Sequence, residues 1–176
     1  RNLLLFRDPT VDGLKTGHTD AAGFCLVATA KRDFPNLPGR RLLAIILGAS
    51  SENARAEEAQ KLLNWGYIAF DGIKLFEANQ AVVTPAIYKG RDNQVALGRT
   101  TPIVVAVPQG QAGRLKTLVT RPDPLFAPLV KNQQVATLKV MLDQAPLSEI
   151  PLIALAGVEE AGFFGRTWDA LTLWLK

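Results

Sequence analysis

The chain has 176 residues, of which 48% are hydrophobic and 20% charged, with a net charge of +4 and a mean hydropathy of +0.10. This composition excludes an intrinsically disordered chain and fits one ordinary globular domain or two small ones. The basic residues are scattered and do not alternate with aromatic residues, so we expect no nucleic-acid partner. No apolar run reaches about 18 residues, so the sequence predicts no membrane-spanning helix.

The sequence contains one cysteine, Cys25, and one histidine, His18. A single cysteine cannot form an intrachain disulfide, and one histidine with one cysteine cannot build a usual zinc site. Cys25 lies in an apolar segment, which favours a small core residue over a nucleophile. We therefore expect neither a metal nor a cofactor.

The first part of the chain predicts an antiparallel meander followed by a helix. Short turns rich in glycine and proline separate three predicted strands, at residues 11–17, 24–30 and 42–47. The third run, Leu-Leu-Ala-Ile-Ile-Leu, does not alternate, which predicts a strand buried on both faces. Ser50 or Ser51 is the predicted N-cap of a helix that extends to about Phe70, with apolar residues spaced by three and four.

Short β-type segments with turn signals between them follow Asp71 and Gly72. The candidates are residues 73–76, 81–87, 94–97, 103–107, 115–120, 134–142 and 152–155. Strands at this spacing predict a small sandwich or barrel. The charged residues of this region indicate a solvated surface, and no catalytic motif is recognisable in it.

The last predicted element is a helix with one apolar stripe, at residues 158–176. The stripe consists of Phe164, Trp168, Leu171 and Leu175. A stripe of this kind is typical of a helix packed on its own domain, and its tryptophans also suit a lipid headgroup interface. Periodicity alone favours packing within the protein.

The segment Lys15-Thr16-Gly17-His18 is the strongest candidate for a binding site. The Lys15 ammonium and the Thr16 hydroxyl can both bind a carboxylate. Gly17 has no side chain, so a ligand can lie flat against the strand. The N–H of His18 follows at the same place. A Lys-Thr-Gly triplet on a strand is one of the motifs of penicillin-binding proteins and serine β-lactamases.

The triplet with its surroundings, Gly13 to Thr19 and Ala22 to Ala30, closely resembles the D-alanyl-D-alanine carboxypeptidases, the low-molecular-mass penicillin-binding proteins. The segments Arg41 to Ala49 and Glu57 to Gly66 resemble them too. The resemblance implies an α+β fold. The back half of a β-lactamase-like transpeptidase domain, with antiparallel strands and a packed helix, comes first. A small β-sandwich domain and a C-terminal amphipathic helix follow it. The corresponding domains are 1–71, 72–157 and 158–176.

The resemblance also implies a function, namely acyl-enzyme removal of the terminal D-alanine from peptidoglycan pentapeptides, and penicillin binding. By position, Lys15 and Thr16 would hold the substrate carboxylate, and Gly17 would let the ligand lie against the strand. The His18 N–H would be one arm of the oxyanion hole. The family places the C-terminal helix on the outer face of the bacterial inner membrane. The expected location is therefore peripheral, in the periplasm.

The sequence departs from this family because it lacks a Ser-x-x-Lys nucleophile motif. The serines are Ser50, Ser51 and Ser148, and none has a lysine three positions on. We expect the nucleophile in an N-terminal remainder of the catalytic domain, either as a longer enzyme or as a partner fragment. The alternatives are a degenerate, non-catalytic, membrane-associated cell-wall binding module or scaffold, or a β-lactamase relative.

Overall fold

The computed structural model describes residues 1–162. The chain forms two compact units. The first contains Arg1–Ile73 and the short segment Ala106–Ala112, and the second contains Lys74–Val105 with the described residues after Ala112. The first unit is therefore discontinuous in sequence. Within it, Gly110 N donates to Asp71 Oδ2 at 2.8 Å and Gln109 N donates to Ala69 O at 2.9 Å.

The first unit is built on a three-stranded antiparallel meander. Its elements are α1 (Leu4–Arg7), β1 (Val11–Thr19), β2 (Gly23–Phe34), β3 (Leu37–Ala49) and α2 (Glu52–Ala69). The strand order is β1-β2-β3, as the turn signals predict. Each register is continuous apart from local bulges. Strand β1 is thus an edge strand of this sheet.

Ser51 is the N-cap of helix α2, because its side chain accepts a hydrogen bond from Ala54 N at 3.0 Å. Its buried stripe packs on one face of the sheet, and the Tyr67 hydroxyl donates to Ala30 O at 2.7 Å. Burial raises the pKa of Tyr67. The core of this unit consists of Leu4, Val11, Leu26, Ala28, Ala30, Ala44, Ala56, Ala59, Leu63 and Tyr67.

Strand β3 corrects one prediction from the sequence, because only one of its faces is covered. Leu43, Ile45 and Leu47 are 57%, 55% and 75% exposed. Side chains alternate along a strand, so these three share the face opposite buried Ala44. No helix or strand of the first unit covers that face, so the apolar run of β3 is not a strand buried on both sides within this unit.

The second unit is rich in β-structure, as predicted. Its strands are β5 (Ala81–Val83), β6 (Ile87–Tyr88), β7 (Leu97–Gly98), β9 (Leu115–Thr120), β10 (Leu125–Phe126), β11 (Gln134–Leu142) and β12 (Ala145–Ala154). Strands β4 (Phe70–Phe76) and β8 (Ile103–Pro108) each have residues in both units. Five strands form a sheet in the order β5-β7-β12-β11-β9, and β10 pairs with β6 and β4 with β8. The β9, β11 and β12 strands form an antiparallel ribbon.

The predicted C-terminal amphipathic helix falls largely outside the described residues. Within residues 1–162, no helix is both long enough and apolar enough to cross a membrane. The same residues contain no group of three or more histidine, cysteine, aspartate or glutamate side chains that could hold a metal ion.

Candidate functional site

The predicted site residues occupy consecutive positions near the end of β1. Lys15 pairs with Val27, Thr16 with Leu26, Gly17 with Cys25 and His18 with Phe24. Because β1 is at the edge of its sheet, its outer backbone groups have no strand partner among the described residues. An extended ligand can pair with such an edge by adding a strand.

The Lys15 side chain is exposed, and its ammonium donates to the Thr16 carbonyl at 2.6 Å. Thr16 is partly buried. The ammonium is therefore an exposed cation beside the Thr16 carbonyl on an open strand edge. A carboxylate could be recruited there by charge and then accept a hydrogen bond from the ammonium.

Gly17 is not required by packing within the described chain. A Cβ atom at this position would meet the Cys25 Cβ at 3.9 Å, which is an ordinary van der Waals contact. The backbone of Gly17 also lies outside the left-handed region that favours glycine. The absence of a side chain leaves the surface of β1 clear at this point.

The His18 ring lies against the Phe24 ring, with 4.0 Å between centroids and an interplanar angle of 32°. The imidazole is exposed on its other side. This contact places the imidazole beside the Phe24 ring of the neighbouring strand β2.

Arg55 is the site-related residue that sequence reasoning missed. It lies in the first turns of α2, is 2% exposed, and donates from Nη1 to Gly17 O at 3.2 Å and to Cys25 O at 3.4 Å. Its spacing of four from Ala59 and then Leu63 is the signal that could have found it. That spacing puts an arginine on the buried stripe of the helix.

Two family models match the chain and together cover most of it. The model described as "Penicillin-binding protein 5, C-terminal domain" matches residues 70–160, which is more than half of the chain. The model described as "D-alanyl-D-alanine carboxypeptidase" matches residues 1–51, which include the Lys-Thr-Gly strand. The chain belongs to the family of the penicillin-binding protein 5 C-terminal domain.

Curated D-alanyl-D-alanine carboxypeptidases are similar over nearly the whole chain. The carboxypeptidase DacC of Escherichia coli is 39% identical over 171 residues, covering 96% of this chain and 42% of the relative. DacA of Haemophilus influenzae is 35% identical over 178 residues, covering 100% of the chain and 44% of the relative. The chain thus spans less than half the length of these carboxypeptidases.

Solved structures of carboxypeptidase relatives share the fold. Penicillin binding protein 5 from Haemophilus influenzae matches with a TM-score of 0.76 and 32% identity, over 90% of this chain and 45% of that one. The carboxypeptidase DacD from Francisella tularensis matches with a TM-score of 0.56 and 32% identity, over 92% of this chain and 39% of that one. The α+β architecture with a C-terminal β-sandwich is therefore that of these relatives.

Proposed function

We propose that the chain is the C-terminal part of a serine-type D-alanyl-D-alanine carboxypeptidase, which removes the terminal D-alanine of peptidoglycan pentapeptides through an acyl-enzyme. The observation that carries the proposal is the Lys15-Thr16-Gly17-His18 segment on an open edge strand, in a part of the chain that matches the carboxypeptidase family model. β-Lactam antibiotics would react at the same site, because they present a carboxylate beside a reactive carbonyl.

Each residue of the segment has a role that follows from its chemistry. The Lys15 ammonium and the Thr16 hydroxyl bind the terminal carboxylate of the stem peptide. Gly17 keeps the strand surface clear for the ligand. Packing within the chain does not require a glycine there, since a Cβ would make only an ordinary 3.9 Å contact, so binding is the reason for it that we propose. The backbone N–H of His18 is one arm of the oxyanion hole and stabilises the charge that develops on the attacked carbonyl oxygen.

The nucleophile belongs to the N-terminal remainder of the catalytic domain, because none of the chain's serines begins a Ser-x-x-Lys motif. The uncovered face of β3, with Leu43, Ile45 and Leu47 exposed, supports this part of the proposal. Apolar side chains of this size gain about 1.5–3 kcal/mol each on full burial, so the face favours a covering layer of protein.

Acylation of the full-length gene product by a labelled penicillin tests the function. Lys15→Ala should lower the second-order acylation rate by about 100-fold or more, the scale of losing an electrostatic contact in a site. Lys31→Ala, at an exposed lysine of the adjacent strand β2, is the matched control and should acylate normally. Normal acylation of Lys15→Ala would remove Lys15 from the site.

Release of D-alanine from a pentapeptide separates the carboxypeptidase from its alternatives. A cell-wall binding module would retain the peptide without releasing D-alanine. A β-lactamase would rapidly hydrolyse a chromogenic cephalosporin, whereas a carboxypeptidase should form a long-lived adduct with it. The expected result is D-alanine release with slow turnover of the cephalosporin.

The proposal includes a location on the periplasmic face of the inner membrane, with residues 158–176 as a peripheral anchor. The apolar stripe of Phe164, Trp168, Leu171 and Leu175 supports it. Cosedimentation of the full-length product with anionic vesicles is the test. Deleting residues 163–176 should abolish vesicle binding and leave penicillin acylation in solution unchanged, and retention of vesicle binding would contradict the anchor.

A further inference from the structure

Arg55 is a buried cation with an unusually complete set of partners. Its side chain is 3% exposed, and Nη2 donates to Arg1 O at 3.0 Å and to Glu52 Oε1 at 3.1 Å. Nη1 donates to the carbonyls of Gly17 and Cys25, as described above. Burying a charge is costly unless it is paired and hydrogen-bonded. Arg55 meets this condition through three backbone carbonyls, two of them in the sheet, and the Glu52 carboxylate.

The two carbonyls on Nη1 belong to register partners on neighbouring strands, since Gly17 of β1 lies opposite Cys25 of β2. The guanidinium thus joins the two strands at the position between Thr16 and His18. Strand β1 is an edge strand, and its pairing with β2 ends two residues later at Thr19. Without a clamp, the end of an edge strand is a place where backbone order is weak.

Arg55 is also connected to His18 by contacts with the Phe24 ring. The Arg55 guanidinium carbon lies 5.6 Å from the centroid of the Phe24 ring, and the His18 ring lies 4.0 Å from the same ring. The guanidinium therefore supports the peptide that precedes His18 and also the ring against which the His18 side chain lies.

We propose that Arg55 is a positioning residue for the carboxypeptidase site, and this inference rests on the function proposed above. It holds the Gly17 peptide and the Phe24 ring so that the His18 N–H has a fixed position before a ligand binds. The rate of the catalysed reaction falls steeply when a preorganised donor of this kind is displaced by about 1 Å. A lysine cannot replace the arginine, because an ammonium lacks the planar fork that bonds several carbonyls at once.

The test compares Arg55→Lys with Arg40→Lys in the full-length gene product. Arg40 is a matched control in the same unit, since it is 8% exposed and donates to two backbone carbonyls, Phe70 O at 2.8 Å and Gly66 O at 3.2 Å. Its carbonyls lie at the end of α2, not on β1. Thermal unfolding and acylation by a labelled penicillin are measured for both variants, and acylation is separated into reversible binding and the covalent step.

Arg55→Lys should slow the covalent step by about 10- to 100-fold, whereas Arg40→Lys should change it less than about twofold at a similar loss of Tm. Parallel losses of acylation and Tm in both variants would overturn the inference, as would normal acylation of Arg55→Lys. A loss confined to reversible binding would also overturn it, because that pattern indicates direct contact with the ligand carboxylate.

If Arg55→Lys is not recovered as folded protein, Phe24→Leu decides the question. This variant leaves the Arg55 hydrogen bonds and removes the ring between Arg55 and His18. It should slow acylation about two- to tenfold, the scale of an aromatic contact, and an unchanged rate would overturn the inference. Failure of the proposed function has a different signature, namely a wild-type protein that does not acylate or a Lys15→Ala variant that acylates normally.

Discussion

Asp8 is a buried carboxylate whose charge is stabilised by three donors. It is 8% exposed and accepts hydrogen bonds from Thr10 N at 2.9 Å, Thr10 Oγ1 at 2.6 Å and Arg32 Nη2 at 2.9 Å. Burial alone would raise the pKa of Asp8. The hydrogen bonds from Thr10 and Arg32 outweigh it, so the pKa of this carboxyl lies below its ordinary value.

Asp8→Asn should destabilise the full-length protein by about 1–3 kcal/mol at pH 7, because Arg32 loses a charged partner. A lowered pKa means that the carboxylate stabilises the fold fully above about pH 4 and loses this effect as the pH falls through the folded-state value. Urea unfolding of wild type and Asp8→Asn at several pH values should therefore give curves that converge in acid. Asp20→Asn, at an exposed aspartate, is the control and should change stability little at any pH.

Single residues also show where sequence reasoning reaches its limit. The segment from Lys15 to His18 can be recognised because its members are consecutive, and the structure gives them consecutive register positions on β1. Arg55 lies 38 positions from the Gly17 carbonyl that it bonds, so its role depends on how α2 packs on the sheet. The burial of β3 could not be predicted either, since its apolar run does not say which covering layers are present.

Helix α2 illustrates how the structure decides between two predicted caps. Both Ser50 and Ser51 precede the helix, but only the Ser51 side chain accepts the Ala54 N–H among the described contacts, at 3.0 Å. The backbone geometry is consistent with Ser51 as the N-cap, because Ser51 is extended, with φ −157° and ψ 168°, as an N-cap requires.

Ser51→Ala should lower the free energy of unfolding by about 1 kcal/mol, the usual cost of losing an N-cap. Ser50→Ala changes the same atoms one position earlier, at an exposed site, and should change stability by less than about 0.5 kcal/mol. Thermal and urea unfolding of the two variants give the comparison. Equal losses in both would contradict the assignment of Ser51 as the cap.

Proline accounts for two differences between predicted and observed strands. Residues 81–87 were predicted as one strand, whereas the structure has Ala81–Val83 and Ile87–Tyr88 with Pro85 between them. Strand β12 begins at Ala145, well before the predicted start at residue 152. The prediction started late because Pro146 and Pro151 indicate strand breaks in the sequence. Pro151 instead occupies a register position opposite Thr137, where tertiary pairing overrides the local signal.

The first sheet as a whole presents an apolar face that a complete carboxypeptidase would be expected to cover. Ile45→Lys in the full-length gene product should therefore cost at least about 2 kcal/mol, since it would bury a charge without a partner. Leu118→Lys is the matched control, because Leu118 is 59% exposed and Ile45 is 55% exposed in the described chain. Urea unfolding of both variants is the measurement, and a neutral Ile45→Lys would contradict a covering N-terminal remainder.

The return of residues 106–112 to the first unit affects how the protein responds to limited proteolysis. A cut after Asp71 would sever the chain, but the downstream fragment would still supply the Gly110 N–H that bonds the Asp71 carboxylate. One cleavage therefore leaves the two products held together by non-covalent contacts. Three cleavages, one after Ile73 and one on each side of residues 106–112, are needed before the first unit can be isolated intact.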